Sequence, residues 1–413
     1  MAPGTTLSPL GYPLFAVVWL SVMASHMANS IQGVSAQWLM TAMGGGADMV
    51  GLIHTATSLP VMLLALVGGA IADMYDRRTV MLAAQLSVAI SSVLLAVLAY
   101  NALATPWLLI GLTLVVGTGM AFFQPAVNAS IQLLVPRSEI SGAIGLNITG
   151  FNVARTVGPA IGGAIVAAGG TFVAFIVSAA FSVVSASILF RWRPPANERS
   201  VAGLSAMLPA IAEGLRTVRD KPELRAIAVR SICFTFCGSA VWGLMPLVAR
   251  DLVGGGADRF GMLLGALGLG ALIGSVFSHE FRRRFTPEWL ARTAGGVFGL
   301  VAIFIALKPG LVPTLVVLVV GGAFWVQALS GFTVSGQIWS PRHLVGRVTS
   351  TISVTVWGGL ALGSWFWGNF AEGYGLVACI AGSGAAMLGV VALGLVMPLP
   401  RNDLAPAPPT PGK

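Results

Sequence analysis

Charge is scarce in this sequence: 9% of its 413 residues are Asp, Glu, Lys or Arg, where a soluble domain carries about a quarter. A chain so poor in charge cannot clothe itself in water-facing surface, and its 56% hydrophobic content makes lipid its natural solvent. Acid is scarcer than base, 14 against 23, and no Asp or Glu falls in the middle of an apolar run. Three cysteines, Cys233, Cys237 and Cys379, lie inside apolar runs without metal-ligand or redox spacing, so neither a disulfide framework nor a metal site is implied. There is no G-x-x-x-x-G-K-[ST] loop to cradle a nucleotide. Nor do the apolar runs hold paired acids or a nucleophile beside a base, which argues against an enzyme. No cofactor is expected.

What is present is a succession of apolar runs, each long enough as a helix to cross about 30 Å of hydrocarbon. They predict an all-α membrane protein with twelve spans, near residues 14–40, 50–72, 79–100, 106–134, 140–168, 171–191, 226–250, 260–281, 290–307, 312–338, 345–370 and 374–397. The net charge of +9 would suggest nucleic acid for a soluble protein, but the placement of the charges removes that reading. Basic residues crowd the loops after the even-numbered spans, as at Arg77, Arg78, Arg137, Arg193, Arg216, Arg282 and Arg347, while the opposite side has Arg250, Arg259 and Lys308. Cationic loops resist translocation, so both termini are expected in the cytoplasm. The opening residues lack a basic leader pattern, which predicts an uncleaved first span. Arg outnumbers Lys 20 to 3, a usage that suggests a bacterial chain and hence the inner, cytoplasmic membrane.

The chain repeats itself in parallel. Gly44-Gly45-Gly46-Ala47-Asp48 returns 210 residues later as Gly254-Gly255-Gly256-Ala257-Asp258, and Gln132, Pro136 and Arg137 return 205 residues later as Gln337, Pro341 and Arg342. Six spans per unit bring both copies in from the same side, with a cavity between them. The expected units are a six-helix bundle over 1–191, a cytoplasmic linker over 192–225 with an amphipathic surface helix, a second bundle over 226–397, and a disordered Pro-rich tail over 398–413.

Two motifs are informative. After span two comes Gly69-Ala70-Ile71-Ala72-Asp73-Met74-Tyr75-Asp76-Arg77-Arg78: a glycine that permits close helix approach, then an acid and a basic pair able to bond neighbouring helix ends. It resembles the signature loop of the major facilitator superfamily, with Asp76 in place of that loop's middle glycine, a variant similar to the drug and siderophore exporters. Span five carries Gly145, Ala154, Gly158, Pro159, Gly162 and Gly163, which resembles the antiporter motif of exporters in that superfamily, departing from it at Ala154; a plain packing seam is the alternative. The resemblance implies the two-bundle fold of that superfamily, a monomer, export, and a role for Asp73 and Arg77 in holding one access state closed on the cytoplasmic side.

Polar side chains inside spans need a partner or a task. Arg155 lies about 22 Å along span five at 1.5 Å per residue, too deep to reach the cytoplasm with ease; it either meets an anionic substrate or a moving proton, or crosslinks helices through carbonyls. Arg230, a turn into span seven, snorkels or serves the cavity. His26, Asn29, Ser30 and Gly33 form one polar face of span one, and Gln124, Asn128 and Gln132 a stripe on span four, suited either to a ligand or to helix-to-helix bonding. Asn147, Asn152 and Gln327 are further candidates, His54 a weaker one, and Trp242, Trp325, Trp357 and Trp365 either stack on substrate or anchor the interface.

These readings converge on a secondary transporter that uses a gradient, by preference proton antiport, to expel small amphipathic compounds such as siderophores or drugs. Its partners are the substrate, the bilayer and a proton or other coupling ion. An importer or a lipid or anion carrier of the same fold is the alternative, because fold alone does not set direction.

Overall fold

The computed structural model describes residues 8–193, 204–341 and 344–400. Arg342 and the tail beyond residue 400 lie outside the described residues, as do linker residues 194–203 and the side chains at Gly69, Asp73 and Asn152.

Every element among the described residues is helical. The first set runs α1 Pro13–Ala42, α2 Ala47–Met74, α3 Arg77–Tyr100, α4 Pro106–Leu134 and α5 Ile140–Arg191; then come α6 Leu204–Asp220, α7 Pro222–Gly243 and a short α8 Met245–Leu247. The second set continues with α9 Ala257–Arg284, α10 Pro287–Ala306, α11 Leu311–Trp339, α12 Val345–Tyr374 and α13 Leu376–Val396. Among the described residues, ten helical stretches are long and apolar enough to cross a membrane. One of them spans α5, which breaks at Gly170 (φ 74°, ψ 177°), the boundary the sequence predicts between its fifth and sixth spans. Proline opens α1, α4, α7 and α10, where its missing N–H costs nothing and its fixed φ suits the first turn.

Left-handed residues recur in pairs along the chain: Gly44 with Gly254, Ala102 with Lys308, and Gly170 with Gly375. Their separations are 210, 206 and 205 residues, so the turns that reverse the chain share their geometry as well as their sequence spacing.

Packing follows the same order. In the first set α1 lies on α5, α2 on α4, and α3 on α4 and α5; in the second, α7 lies on α12 and α13, α9 on α11, and α10 on α11 and α13. Between the sets, α2 crosses α12 and α5 crosses α9. The repeat that relates α2 to α9 also relates the start of α5 to α12, so it exchanges the two crossings. Leu86, Ile90, Val93, Leu94 and Val97 are exposed on α3, an apolar face suited to lipid.

The basic helix ends are tied down. Asp76 caps α3 by accepting from the Thr79 N–H at 3.2 Å and the Thr79 hydroxyl at 2.8 Å. Arg77 donates to the Ala129 carbonyl at 2.8 Å, and Arg78 to the last carbonyls of α5, Leu189 at 3.0 Å and Phe190. Cations on carbonyls at a helix C-terminus satisfy groups that lack intrahelical partners. α6 lies at this end too, against α7 and α12, with Glu213 paired to Arg347.

Candidate functional site

The two helix sets meet along two seams that run from the turns at Gly44 and Gly254 toward mid-helix. On the α5–α9 seam, Gly163 faces Gly261 backbone to backbone and Gly265 faces Ala160, and Thr156 donates to the Gly268 carbonyl at 2.8 Å. On the α2–α12 seam, Gly51 abuts Ser364 and Gly368, and Thr55 donates to the Ala361 carbonyl at 3.0 Å. The Ala47 N–H, at the start of α2, donates to Glu372 at 2.7 Å. Arg250, beyond α7, donates to Asp251 at 2.6 Å and to the Thr41 carbonyl at 3.3 Å; the Asp251 hydrogen bond raises it above the ordinary arginine value, so it is a fixed cation of this closure.

Where the seams give way to the interior, the guanidinium of Arg155 (α5) lies over the indole of Trp242 (α7), 4.8 Å from the ring centroid. A cation over an indole face is drawn to the negative π-cloud, an attraction worth about 0.5–2 kcal/mol depending on desolvation. Trp242 in turn leans on Trp325 at 5.8 Å, and Trp325 on Phe234 and Phe298, each at 4.9 Å. The indole nitrogens of Trp242 and Trp325 are buried without a partner. Beside this pair, His54 Nδ1 (α2) shares a hydrogen bond of 2.9 Å with the Ser364 hydroxyl (α12). A methyl group on Gly243, next to Trp242, would lie 3.7 Å from the His54 side chain. Four helices from both sets thus converge on Arg155, Trp242, His54 and Ser364.

Toward the basic end lies a wide-mouthed cleft of about 680 Å³, lined by Gln132, Arg137, Ile140, Ser141 and Ile144. Gln132 belongs to the α4 stripe, in which Gln124 donates to Asn128 at 3.3 Å, while Asn128 and Gln132 are exposed. Amides bared at membrane depth face water rather than lipid, since hydrocarbon cannot satisfy them.

Other candidates are engaged elsewhere. Gln327 donates to the Gly274 carbonyl at 2.7 Å and accepts from Ser278 at 3.1 Å, a bolt between α11 and α9. Arg230 is 1% exposed and pairs with Glu288 at 3.2 Å. Glu288 also takes Arg292 and the Leu399 N–H, at 2.7 Å for the latter. Arg230 neither snorkels nor reaches the cavity; it locks the end of α13 to α10. His26 is buried edge-on to Phe151 at 5.0 Å with Nε2 unpartnered. Asn29 Oδ1 is likewise unpartnered.

The span-five motif divides between two neighbours. Gly158 and Gly162 admit α1 at Ser30 and Ile31, and Ser30 donates to the Ala154 carbonyl at 3.3 Å, whereas Gly163 admits α9. Gly145 has open space around it. In the sequence reading His54 has little weight and Ser364 is not named, yet the structure brings the two together. The signal was a polar and small-residue stripe, Gly51, His54, Thr55 and Ser58, at i, i+3, i+4 and i+7 on α2.

Known proteins resemble the chain over nearly its whole length. It is 28% identical to the multidrug efflux pump Tap of Mycolicibacterium fortuitum, covering 96% of this chain and 98% of that one. It is 26% identical to the enterobactin exporter EntS of Salmonella typhimurium, covering 95% and 93%. Among solved structures, a bacterial homologue of the human lysosomal transporter Spinster, inward-facing and unoccupied, superposes with a TM-score of 0.72 at 17% identity, covering 96% of each chain. The nucleoside transporter NupG superposes at 0.78 and 11% identity, covering 93% of this chain and 99% of that one. Residues 4–411 match the family described as transmembrane secretion effector, and the chain therefore belongs to that exporter family of the major facilitator superfamily.

Proposed function

We propose that this efflux transporter expels small amphipathic compounds of the siderophore or drug type from a bacterial cytoplasm, by alternating access and in exchange for protons. Twelve spans in two six-span halves, 1–191 and 226–397, would cross the inner membrane as a monomer with both termini inside. The paired left-handed turns and the exchangeable crossings support that division. The one-sided basic residues support the orientation, under which the seams close the outer end and the cleft opens to the cytoplasm.

The observation that carries the reading is the Arg155–Trp242 pair. It offers a cation and an aromatic face from opposite helix sets, and the α4 amides Gln124, Asn128 and Gln132, the last of which lines the cleft, are further polar groups for a ligand. An electron-rich ring can slide between guanidinium and indole, while its polar groups meet the amides. A cationic site without acids favours anionic or neutral compounds over cationic ones. By resemblance, Asp73 and Arg77 would close the cytoplasmic end in the opposite state; in the present conformation Arg77 bonds within its own helix set.

The test is cellular retention of enterobactin, erythromycin and ethidium in a bacterial strain stripped of its own pumps, with and without a protonophore. Protonophore-sensitive loss of enterobactin or erythromycin is expected. Protein-dependent accumulation would overturn the direction, and loss insensitive to the protonophore would overturn the coupling.

A further inference from the structure

We propose that His54 carries the coupling proton, taking it from external water when the α2–α12 seam is open and giving it up to the cytoplasmic cleft when the seam closes. The inference rests on the proton-driven efflux argued above and names the residue that performs the coupling. It starts from a shortage: no carboxylate stands at mid-span to do this work, so among the described span residues the side chains whose ordinary range lies near neutral pH are imidazoles. Of the two histidines whose side chains are described, His26 is buried among residues of the first helix set, edge-on to Phe151. His54 alone bridges the two sets, through the 2.9 Å bond to Ser364. A titratable ring whose hydrogen bond exists only when the seam is shut has different surroundings in the two access states, which is what coupling requires.

The neighbours of His54 supply the sign. α12 presents Ser364, which is 1% exposed, and α7 presents Gly243. α5 brings the Arg155 guanidinium over Trp242, the residue next to Gly243. α1 and α4 carry no Asp, Glu, Lys or Arg, and the charges of α3 and α6 belong to the basic end. The nearest acid on its own helix is Asp48, about 9 Å away along the axis, and on α12 it is Glu372, about 12 Å beyond Ser364, at 1.5 Å per residue. A proton on the imidazole with the seam shut therefore sets a second positive charge beside Arg155 with no acid to offset either. Opening the outer seam hydrates the ring and relieves that repulsion. The proton binds from outside and leaves inward as the seam closes, and a substrate taken up from the cytoplasmic side favours the seam-shut state and so expels the proton, which ties substrate to proton.

The test uses the full chain reconstituted in liposomes, with enterobactin as the probe and an acid lumen as the driving force. In the wild type the gradient should concentrate enterobactin. In His54→Gln concentration should fall by about tenfold or more while gradient-free enterobactin exchange continues, since removing a differential term abolishes the shift but not the states. Thr55→Val, which removes a neighbouring hydrogen bond of the same seam and keeps the imidazole and its Ser364 partner, should remain gradient-driven. A direct reading is proton release on addition of enterobactin to the detergent-purified protein, present in wild type and Thr55→Val and absent in His54→Gln. Gradient-driven concentration by His54→Gln, or proton release from it, overturns the proposal, as does an equal loss in Thr55→Val, which would assign the effect to seam closure. If wild-type transport ignores the gradient while exchanging enterobactin, proton coupling itself fails and this assignment with it.

Discussion

Gly163 and Gly261 face each other across the α5–α9 crossing so closely that a Cβ on either would run into the backbone of the other. That approach makes the closure at this end possible, and a side chain there has nowhere to go because both neighbours are main chain. Overpacking a tight contact costs about 1–3 kcal/mol. Here the cost falls on the seam-closed state alone if the halves separate in the other state. Gly261→Val should therefore favour the outward-open form and slow efflux by about tenfold or more, a factor that 1.4 kcal/mol supplies. Spin labels flanking the seam, measured by pulsed dipolar spectroscopy, should report longer distances; unchanged distances would mean that the crossing is not the gate.

Arg155→Ala removes the cation over Trp242 and leaves an indole without its partner. Efflux of an anionic or neutral substrate should fall by at least about the threefold to thirtyfold that a cation–π contact of about 0.5–2 kcal/mol represents. Arg155→Lys should keep part of the activity, because an ammonium still sits over the ring but loses the planar stacking and the fork of donors. Binding measured by tryptophan fluorescence separates this from a folding defect. Equal affinity in wild type and Arg155→Ala would take the pair out of the substrate site.

Much of this architecture was legible before any coordinates, because lipid imposes simple rules. Apolar run length predicted helices, the boundary between the spans 140–168 and 171–191 falls where α5 breaks at Gly170, and the Gly44 and Gly254 copies fall at equivalent turns. The site was harder to read for a physical reason: a helix sequence shows which residues share a face but not which neighbour that face meets. Gln327 looked like a cavity residue, and Arg230 like one that snorkels or serves the cavity, because their partners, Gly274 and Glu288, come from other helices. His54 looked weak because Ser364, 310 residues away, carries no signal of its own.

Arg230→Ala should mainly affect stability. Removing one partner of a buried ion pair costs about 3–5 kcal/mol, and Arg292 still faces Glu288, so the loss should fall toward the lower end. The melting temperature in detergent should drop by several degrees, with Glu288→Gln milder since it keeps hydrogen-bonding capacity for Arg230, Arg292 and Leu399. Substrate affinity at the protein's stable temperatures should hold. A selective loss of affinity with normal melting would return Arg230 to the transport pathway.

Asp76 offers a test of why this chain departs from the superfamily's signature glycine. Its carboxylate caps α3 through Thr79, a task a glycine performs by leaving the N–H groups open to water. Replacing an N-cap Asp by Ala costs about 1 kcal/mol, by Gly only a few tenths. Asp76→Gly, which restores the superfamily pattern, should therefore melt close to wild type and transport normally, whereas Asp76→Ala should be measurably less stable. The opposite order, or a transport loss in Asp76→Gly without a stability loss, would mean that the Asp76 carboxylate acts beyond its own helix, in the closure of the cytoplasmic end that the present conformation leaves open.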